Sequence, residues 1–90
     1  MAMTFDLAKN AKNIAERGLS FERVAELDWD TAVIAEDTRH DYGDPRLLVV
    51  ARLDGRLYAA VVTPRGEDLH VISLRKVNRR EVRRYGGKDT

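Results

Sequence analysis

The sequence predicts an α+β domain with an N-terminal helical hairpin, an antiparallel sheet of about three to four strands and a basic C-terminal helix. Three observations lead to this prediction. Apolar residues recur at helical spacing near the N-terminus, form a continuous run on each side of Asp54-Gly55, and give way to an arginine-rich stretch after Leu74. With 90 residues, the whole chain (1–90) is expected to form one small domain with a modest core.

Two short helices are predicted before residue 30. The first covers residues 6–17, with Asp6 as N-cap or dipole partner and Gly18 as the residue that ends it. Its apolar stripe, which we expect to face the core, consists of Leu7, Ala11, Ile14 and Ala15. Ser20 begins a second helix that runs to about Leu27. The two helices would form the hairpin.

The middle of the chain carries the strand signals. Residues 31–35 are a first candidate strand, followed by a polar loop over 36–45. Residues 46–53 and 56–63 are strands joined by Asp54-Gly55, a strong two-residue hairpin signal. This turn sets the register of the pairs Leu53/Arg56, Ala51/Tyr58, Val49/Ala60 and Leu47/Val62. After a second turn at 64–68, residues 69–75 form a further strand.

The C-terminal helix is marked by its capping residues. Asn78 suits the N-cap, and Glu81 stands three residues on, where its carboxylate can complete a capping box. Val77 and Val82 occupy the two positions of a hydrophobic staple, and Gly86 suits the left-handed position that ends the helix. The sequence therefore predicts a helix that begins directly after the last strand.

The arginines of this helix fall on the face away from the core. At about 100° per residue, Arg79 and Arg83 lie side by side, with Arg80 and Arg84 next to them. Val82 and Tyr85 lie on the opposite side and are expected to pack on the domain. A solvated helix whose arginines only aid solubility is the alternative. Because acidic residues are nearly absent from the cluster, we favour a surface that binds an anionic partner.

Composition narrows the possible functions. The net charge of +1 conceals a balance of −5 over residues 1–45 and +6 over residues 46–90. Cysteine is absent and there are only two histidines, so thiol chemistry is excluded and a histidine-based metal site is not expected. No run of apolar residues is long enough to span a membrane, and no signal peptide is recognisable. We therefore expect a cytoplasmic protein without a membrane partner.

Short motifs follow one another along nearly the whole chain. They are Phe5-Asp6, Gly18-Leu-Ser-Phe21, Asp41-Tyr-Gly-Asp-Pro-Arg46, Asp54-Gly-Arg56, Thr63-Pro-Arg-Gly66 and the stretch from Ile72 to Tyr85. In this order they resemble the BrnT family of small toxins from type II toxin–antitoxin pairs. The last stretch is the most specific. The chain departs from the family pattern at Arg17, where many relatives have histidine before the glycine, and at His70, where arginine is common. Val77 replaces a usual alanine, and residues 48–51 lack the glycine often found there.

The resemblance implies a RelE-like fold and a ribonuclease that blocks translation by cleaving RNA. It also implies catalysis without a metal or other cofactor. A cognate BrnA-type antitoxin is the implied protein partner, and the implied substrate is RNA, free or on the ribosome. The antitoxin is expected either to cover the arginines and part of the sheet or to contact the acidic stretch 22–44.

Candidate site residues follow from the chemistry of metal-free RNA cleavage. Guanidinium groups match phosphate oxygens and keep their charge, so Arg75, Arg79 and Arg46 are the candidate catalytic contacts to the phosphate. Arginines are poor proton carriers, and His40 is the candidate for proton transfer because histidine titrates near neutral pH. An exposed loop histidine without a role is the alternative. The candidate RNA-binding residues are Lys76, Arg80, Arg83 and Arg84.

Two interpretations without chemistry use the same basic helix. One is a nucleic-acid-binding module, and the other is a protein-interaction domain with an acidic partner. Both predict arginine variants that lose salt-sensitive binding while no product forms. The ribonuclease interpretation predicts variants that still bind RNA but do not cut it. Charge and spacing alone do not separate these interpretations.

Overall fold

The computed structural model describes residues 2–37, 43 and 45–85, with the backbone alone at Tyr85. Within these residues two helices follow the first strand, and four consecutive strands lead to the last helix. In order, the elements are β1 (Met3–Phe5), α1 (Leu7–Arg17), a 3₁₀ helix (Phe21–Glu26), β2 (Val33–Glu36), β3 (Leu47–Leu53), β4 (Arg56–Arg65), β5 (Asp68–Lys76) and α2 (Arg79–Tyr85).

The strands form one mixed sheet of five strands in the order β1-β5-β4-β3-β2. β1 runs parallel to β5, and the other neighbours are antiparallel. The prediction of an antiparallel sheet of three to four strands was therefore wrong in both number and direction. The missed strand β1 is only three residues long, so it shows no alternation to detect. Its first bond joins the Leu69 N–H to the Ala2 carbonyl at 2.9 Å.

The predicted N-terminal helical hairpin was also wrong. The first predicted helix is correct, because α1 is capped by Asp6 and ends at Gly18 in the left-handed conformation. The second is a 3₁₀ helix of six residues rather than an α-helix. Ser20 caps it as expected, but the Leu27 N–H reaches back only three residues, to the carbonyl of Val24. A run this short does not form a second arm of a hairpin.

α1 packs through asparagines instead of its apolar stripe. Leu7 is 78% exposed and Ile14 is 45% exposed, so the prediction that they face the core was wrong. Asn13 is buried and donates from its Nδ2 to the carbonyls of Leu19 (2.9 Å) and Leu74 (3.0 Å). The Oδ1 of Asn10 accepts the Phe21 N–H at 2.7 Å. Hydrogen bonds to backbone groups thus fix the helix where periodicity predicted hydrophobic packing.

The central hairpin of β3 and β4 has the predicted register, including the four pairs named from the sequence. Asp54 has φ of 52° and Gly55 has φ of 80°, so both turn residues are left-handed. Such a turn matches the twist of the strands that it joins. The hairpin therefore places the residues of β3 and β4 as the sequence indicates.

Each face of the sheet has its own cluster. The larger cluster lies under the 3₁₀ helix, where Phe21, Val24 and Leu74 are almost fully buried. The smaller one lies on the opposite face and consists of Val50, Leu57 and Ala59, against which Leu48, Val77 and Val82 pack. Val77 and Val82 flank the start of α2, so this cluster fixes α2 on the sheet, as the staple predicted.

A bulge in β5 decides which face carries Arg75. Val61 pairs with Ser73 whereas Val62 pairs with Val71, so Ile72 is one extra residue on β5. Without the bulge, alternation would place Arg75 on the same face as Val71, in the larger cluster. With it, Ser73 and Arg75 lie on the face that carries α2. Bulges commonly re-aim side chains in this way.

None of the helices among the described residues is long and apolar enough to cross a membrane.

Candidate functional site

The start of α2 is held by a reciprocal capping box. The Asn78 N–H donates to Glu81 Oε1 at 3.0 Å, and the Glu81 N–H donates to Asn78 Oδ1 at 2.8 Å. This confirms the cap predicted from the sequence. The box places Glu81 beside the end of β5, where Arg75 lies.

Arg75 and Glu81 form a two-pronged ion pair. Arg75 Nη1 donates to Glu81 Oε1 at 2.6 Å, and Arg75 Nη2 donates to Glu81 Oε2 at 2.8 Å. The hydrogen bonds from Arg75, together with the Asn78 N–H, lower the pKa of Glu81 to about 2, although partial burial opposes the shift. Glu81 is therefore ionised at neutral pH and is a weak base. Its structural contacts fix the Arg75 guanidinium in one orientation.

The ion pair lies on the wall of a groove that crosses the sheet. The groove has a volume of about 490 Å³. Ala35, Leu48, Val61 and Ser73, from β2 to β5, form its floor. Its remaining lining is charged, with three cations and three carboxylates: Arg17, Arg75, Arg84, Glu36, Asp37 and Glu81. Because Glu81 balances Arg75, the other cations of the groove are Arg17 and Arg84, and Glu36 and Asp37 equal them in number.

Arg17 is the residue of this groove that sequence reasoning missed as a site residue. It is the last residue of α1, and it also lines a small hollow beside Arg75. Its side chain has no hydrogen bond or ion pair with the described part of the chain. It lies outside the apolar stripe that periodicity predicted for this helix. The available signal was its departure from the histidine that many relatives have before this glycine.

Arg79 does not join Arg75 at the groove. It lines a separate cleft of about 510 Å³ with Arg56 and Lys76, over an apolar wall formed by Leu57, Val77 and Val82. The groove and the cleft share no lining residue. α2 therefore separates the two arginines that the sequence analysis grouped as catalytic.

Arg46 lies toward the other end of the sheet. Arg75 pairs with Ala59, and Ala59 pairs with Val50, so Arg75 is level with Val50 on β3. Arg46 precedes Val50 by four residues, which is about 13 Å along the strand. Its carbonyl accepts the Asp37 N–H at 2.7 Å. The structure therefore does not bring Arg46 beside Arg75.

The remaining candidates divide between the surface of α2 and the undescribed loop. Arg80, Arg83 and Arg84 are exposed on α2, as the helical spacing predicted. His40 lies outside the described residues. His70 is half-buried in β5, where its Nδ1 is 2.8 Å from Thr4 Oγ1. Burial, with Arg65 and Lys9 nearby, lowers the pKa of His70. In the described part of the chain, no three His, Asp or Glu side chains gather as a metal site would require.

These features define a small mixed-sheet domain with cations on both sides of its C-terminal helix. The family model described as "Ribonuclease toxin, BrnT, of type II toxin-antitoxin system" matches residues 5–81. Since the match covers most of the chain, the protein belongs to the BrnT family of ribonuclease toxins. Membership implies RNA as substrate and an antitoxin protein as partner. No curated protein matches the chain.

Proposed function

We propose that this toxin is a metal-independent endoribonuclease that holds the scissile phosphodiester in the groove and stops translation by cutting RNA. The observation that carries the proposal is the convergence of Arg17, Arg75 and Arg84 on one groove, in a chain of a ribonuclease family. An apolar floor under these cations can take a base or ribose while the guanidinium groups bind the phosphate.

The proposed reaction uses the ribose next to the phosphate. The 2′-oxygen forms a bond to phosphorus while the bond from phosphorus to the 5′-oxygen breaks. A base takes the proton of the 2′-hydroxyl, and an acid delivers a proton to the 5′-oxygen. The products are a 2′,3′-cyclic phosphate and a 5′-hydroxyl. Fixed cations stabilise the negative charge that grows on the phosphoryl oxygens.

We assign the scissile phosphate to Arg75 and Arg17. Glu81 orients Arg75 before substrate binds, so less ordering is needed at the transition state. Arg17 brings a permanent charge from α1. Arg46 and Arg79 are proposed to contact RNA nucleotides further from the scissile phosphate. Arg80, Arg83 and Arg84 are proposed to guide the RNA over α2.

Proton transfer remains assigned to His40. The support is chemical, since histidine titrates near neutral pH whereas arginine does not. His40 follows Asp37 by three residues in the sequence, and Asp37 lines the groove. The low pKa of Glu81 argues against that carboxylate as the base.

The decisive comparison is RNA cleavage and RNA binding by wild type and by Arg17→Gln, both with EDTA. Arg17→Gln leaves the ion pair of Arg75 and Glu81 intact, so it tests the groove without disturbing α2. Loss of one such contact is expected to lower kcat about 100-fold. Arg65→Gln removes the same charge from an exposed position at the far end of β4 and is expected to cut like wild type.

The outcomes separate the candidate functions. If wild type cuts RNA with EDTA present, and Arg17→Gln binds RNA but does not cut it, the result supports an enzyme that acts through this groove. RNA that binds but is never cut, with or without ribosomes, contradicts the proposal and favours a binding module. Equal kcat for Arg17→Gln and Arg65→Gln would remove Arg17 from the reaction.

The proposed setting is the cytoplasm, where the antitoxin and the RNA substrate meet the toxin. We propose a BrnA-type antitoxin that covers the groove and so excludes RNA, with the acidic stretch 22–44 as a second contact surface. Cleavage on the ribosome is the proposed route to blocking translation. A translation assay in which Arg17→Gln fails to inhibit would link the groove to that effect.

A further inference from the structure

We propose that Arg56, Lys76 and Arg79 form a second RNA-binding site, an anchoring cleft that holds a nucleotide flanking the scissile one. The proposal rests on the ribonuclease function proposed above and adds a site to it. The cleft lies on the side of α2 away from the groove, and it takes a phosphodiester with its adjoining ribose or base.

The charge of the cleft differs from that of the groove. Three cations line it and no carboxylate does, whereas the groove is lined by Glu36, Asp37 and Glu81 as well as by its arginines. Arg56, Lys76 and Arg79 are exposed, and none has an ion pair with the described residues. A concavity lined by one sign of charge attracts the opposite sign most strongly.

Three different elements supply the cations. Arg56 begins β4, Lys76 ends β5, and Arg79 begins α2. Lys76 is paired with Tyr58 in the sheet, and the Val77 N–H donates to the Leu57 carbonyl at 3.3 Å, so the backbone beneath the cleft is hydrogen-bonded. The cleft is therefore built on the sheet, and it does not depend on α2 alone.

The wall of the cleft suits the non-charged part of a nucleotide. Leu57, Val77 and Val82 form this wall, and all three belong to the cluster that fixes α2 on the sheet. The volume of about 510 Å³ is within the range of small-ligand pockets. A base or ribose can pack on the apolar wall while the cations bind its phosphate.

A cationic path connects the cleft to the groove. A hollow of about 320 Å³ lies between them and is lined by Arg17, Leu19, Arg75 and Lys76. Arg75 and Arg17 also line the groove, and Lys76 also lines the cleft. One RNA strand can therefore follow cations from the groove, around the end of β5, to the cleft. An acidic segment of the antitoxin is the competing occupant of the same cleft.

The test measures how cleavage depends on RNA length. Wild type, Arg56→Gln, Lys76→Gln and Arg65→Gln are each given a dinucleotide and a single strand of about twelve nucleotides, within the site sizes of single-strand binders. Arg65→Gln controls for the lost charge, because Arg65 is exposed at the other end of β4. Binding of the labelled long strand is measured in parallel over a series of salt concentrations.

The cleft predicts a defect that grows with RNA length. Arg56→Gln and Lys76→Gln should raise KM for the long strand about 5- to 10-fold relative to Arg65→Gln, with a smaller effect on the dinucleotide. The slope of log K against log salt should become shallower by about 0.7 for each cation lost. Two variants are used so that misfolding of one does not decide the result.

Several results would overturn the inference. Long-strand KM values of Arg56→Gln and Lys76→Gln equal to that of Arg65→Gln would show that the cleft does not bind RNA. An equal defect on both lengths would place these residues at the scissile nucleotide. If Arg56→Gln and Lys76→Gln bind RNA like wild type but bind the antitoxin more weakly, the cleft is assigned to the protein partner. If wild type cuts neither RNA, with or without ribosomes, the proposed function fails, and the binding series alone still tests the cleft.

Discussion

Glu81 links the fold of α2 to the position of Arg75. One of its carboxylate oxygens accepts the Asn78 N–H and Arg75 Nη1, and the other accepts Arg75 Nη2. A single side chain thus caps the helix and fixes the guanidinium. Charge-assisted hydrogen bonds of this kind are about twice as strong as neutral ones. The orientation of the Arg75 guanidinium is therefore set by folding.

The pKa of Glu81 makes this link measurable as a pH dependence of stability. The pKa is about 2 in the fold against 4.5 as a model value, so the fold favours the ionised form. The stabilisation is fully present above pH 4.5 and is lost as the pH falls through about 2. Over this pH range we expect wild type to lose about 3 kcal/mol more unfolding free energy than Glu81→Gln loses. Urea unfolding of both proteins measures the difference.

Glu81→Gln is the matched control because glutamine can still complete a capping box but cannot ionise. All other carboxylates are the same in both proteins, so their titration cancels. Parallel loss of stability in the two proteins as the pH falls would show that the ion pair does not stabilise the fold.

At the scale of elements, local signals were predicted correctly. The caps of α1, the turn at Asp54-Gly55 and the capping box of α2 all depend on residues within a few positions of each other. Each has a distinctive residue type with a physical reason to be there. The hairpin register followed from its turn, and so the apolar floor of the groove on β3 and β4 could be anticipated.

Elements that depend on distant partners were predicted poorly. β1 is defined by its pairing with β5, and the asparagines of α1 are explained only by carbonyls at Leu19 and Leu74. The bulge at Ile72 is likewise visible only in the pairing of β4 with β5, and it decides the face of Arg75. The sequence also does not show that Arg75 and Arg79 line different concavities.

The hydrogen bonds that hold α1 predict which of two variants is the less stable, and hydrophobic periodicity predicts the opposite order. Asn13→Ala leaves two carbonyls without their partner, and we expect a loss of about 2 to 4 kcal/mol of unfolding free energy. Leu7→Ala removes a side chain that is 78% exposed and should change stability by less than about 0.5 kcal/mol. Denaturant unfolding compares the two.

The reverse order of the two losses of unfolding free energy would support the prediction from hydrophobic periodicity. If Leu7→Ala proved the more destabilising variant, the apolar stripe of α1 would have to face the core in solution. Because alanine favours helix at both positions, helix propensity does not account for a difference in that direction.

At the scale of the whole molecule, charge and apolar surface are distributed unevenly. Cations gather around the end of β5 and α2, whereas Glu36 and Asp37 lie at the β2 end of the groove. Leu7 and Ile14 on α1, and Val33 and Ile34 on the edge strand β2, are exposed. The excess of basic residues in the second half of the sequence thus forms one strongly cationic region. An RNA-binding toxin needs such a region.

The central claim is that this toxin cleaves RNA without a metal, through attack by the 2′-oxygen. The most direct measurement is the chemistry of the new RNA ends formed with EDTA present, on a substrate and on its counterpart with a single 2′-deoxy ribose at the cleavage step. We predict 2′,3′-cyclic phosphate and 5′-hydroxyl ends, and no cleavage of the deoxy substrate. Products with a 3′-hydroxyl and a 5′-phosphate, or activity abolished by EDTA, would contradict the account.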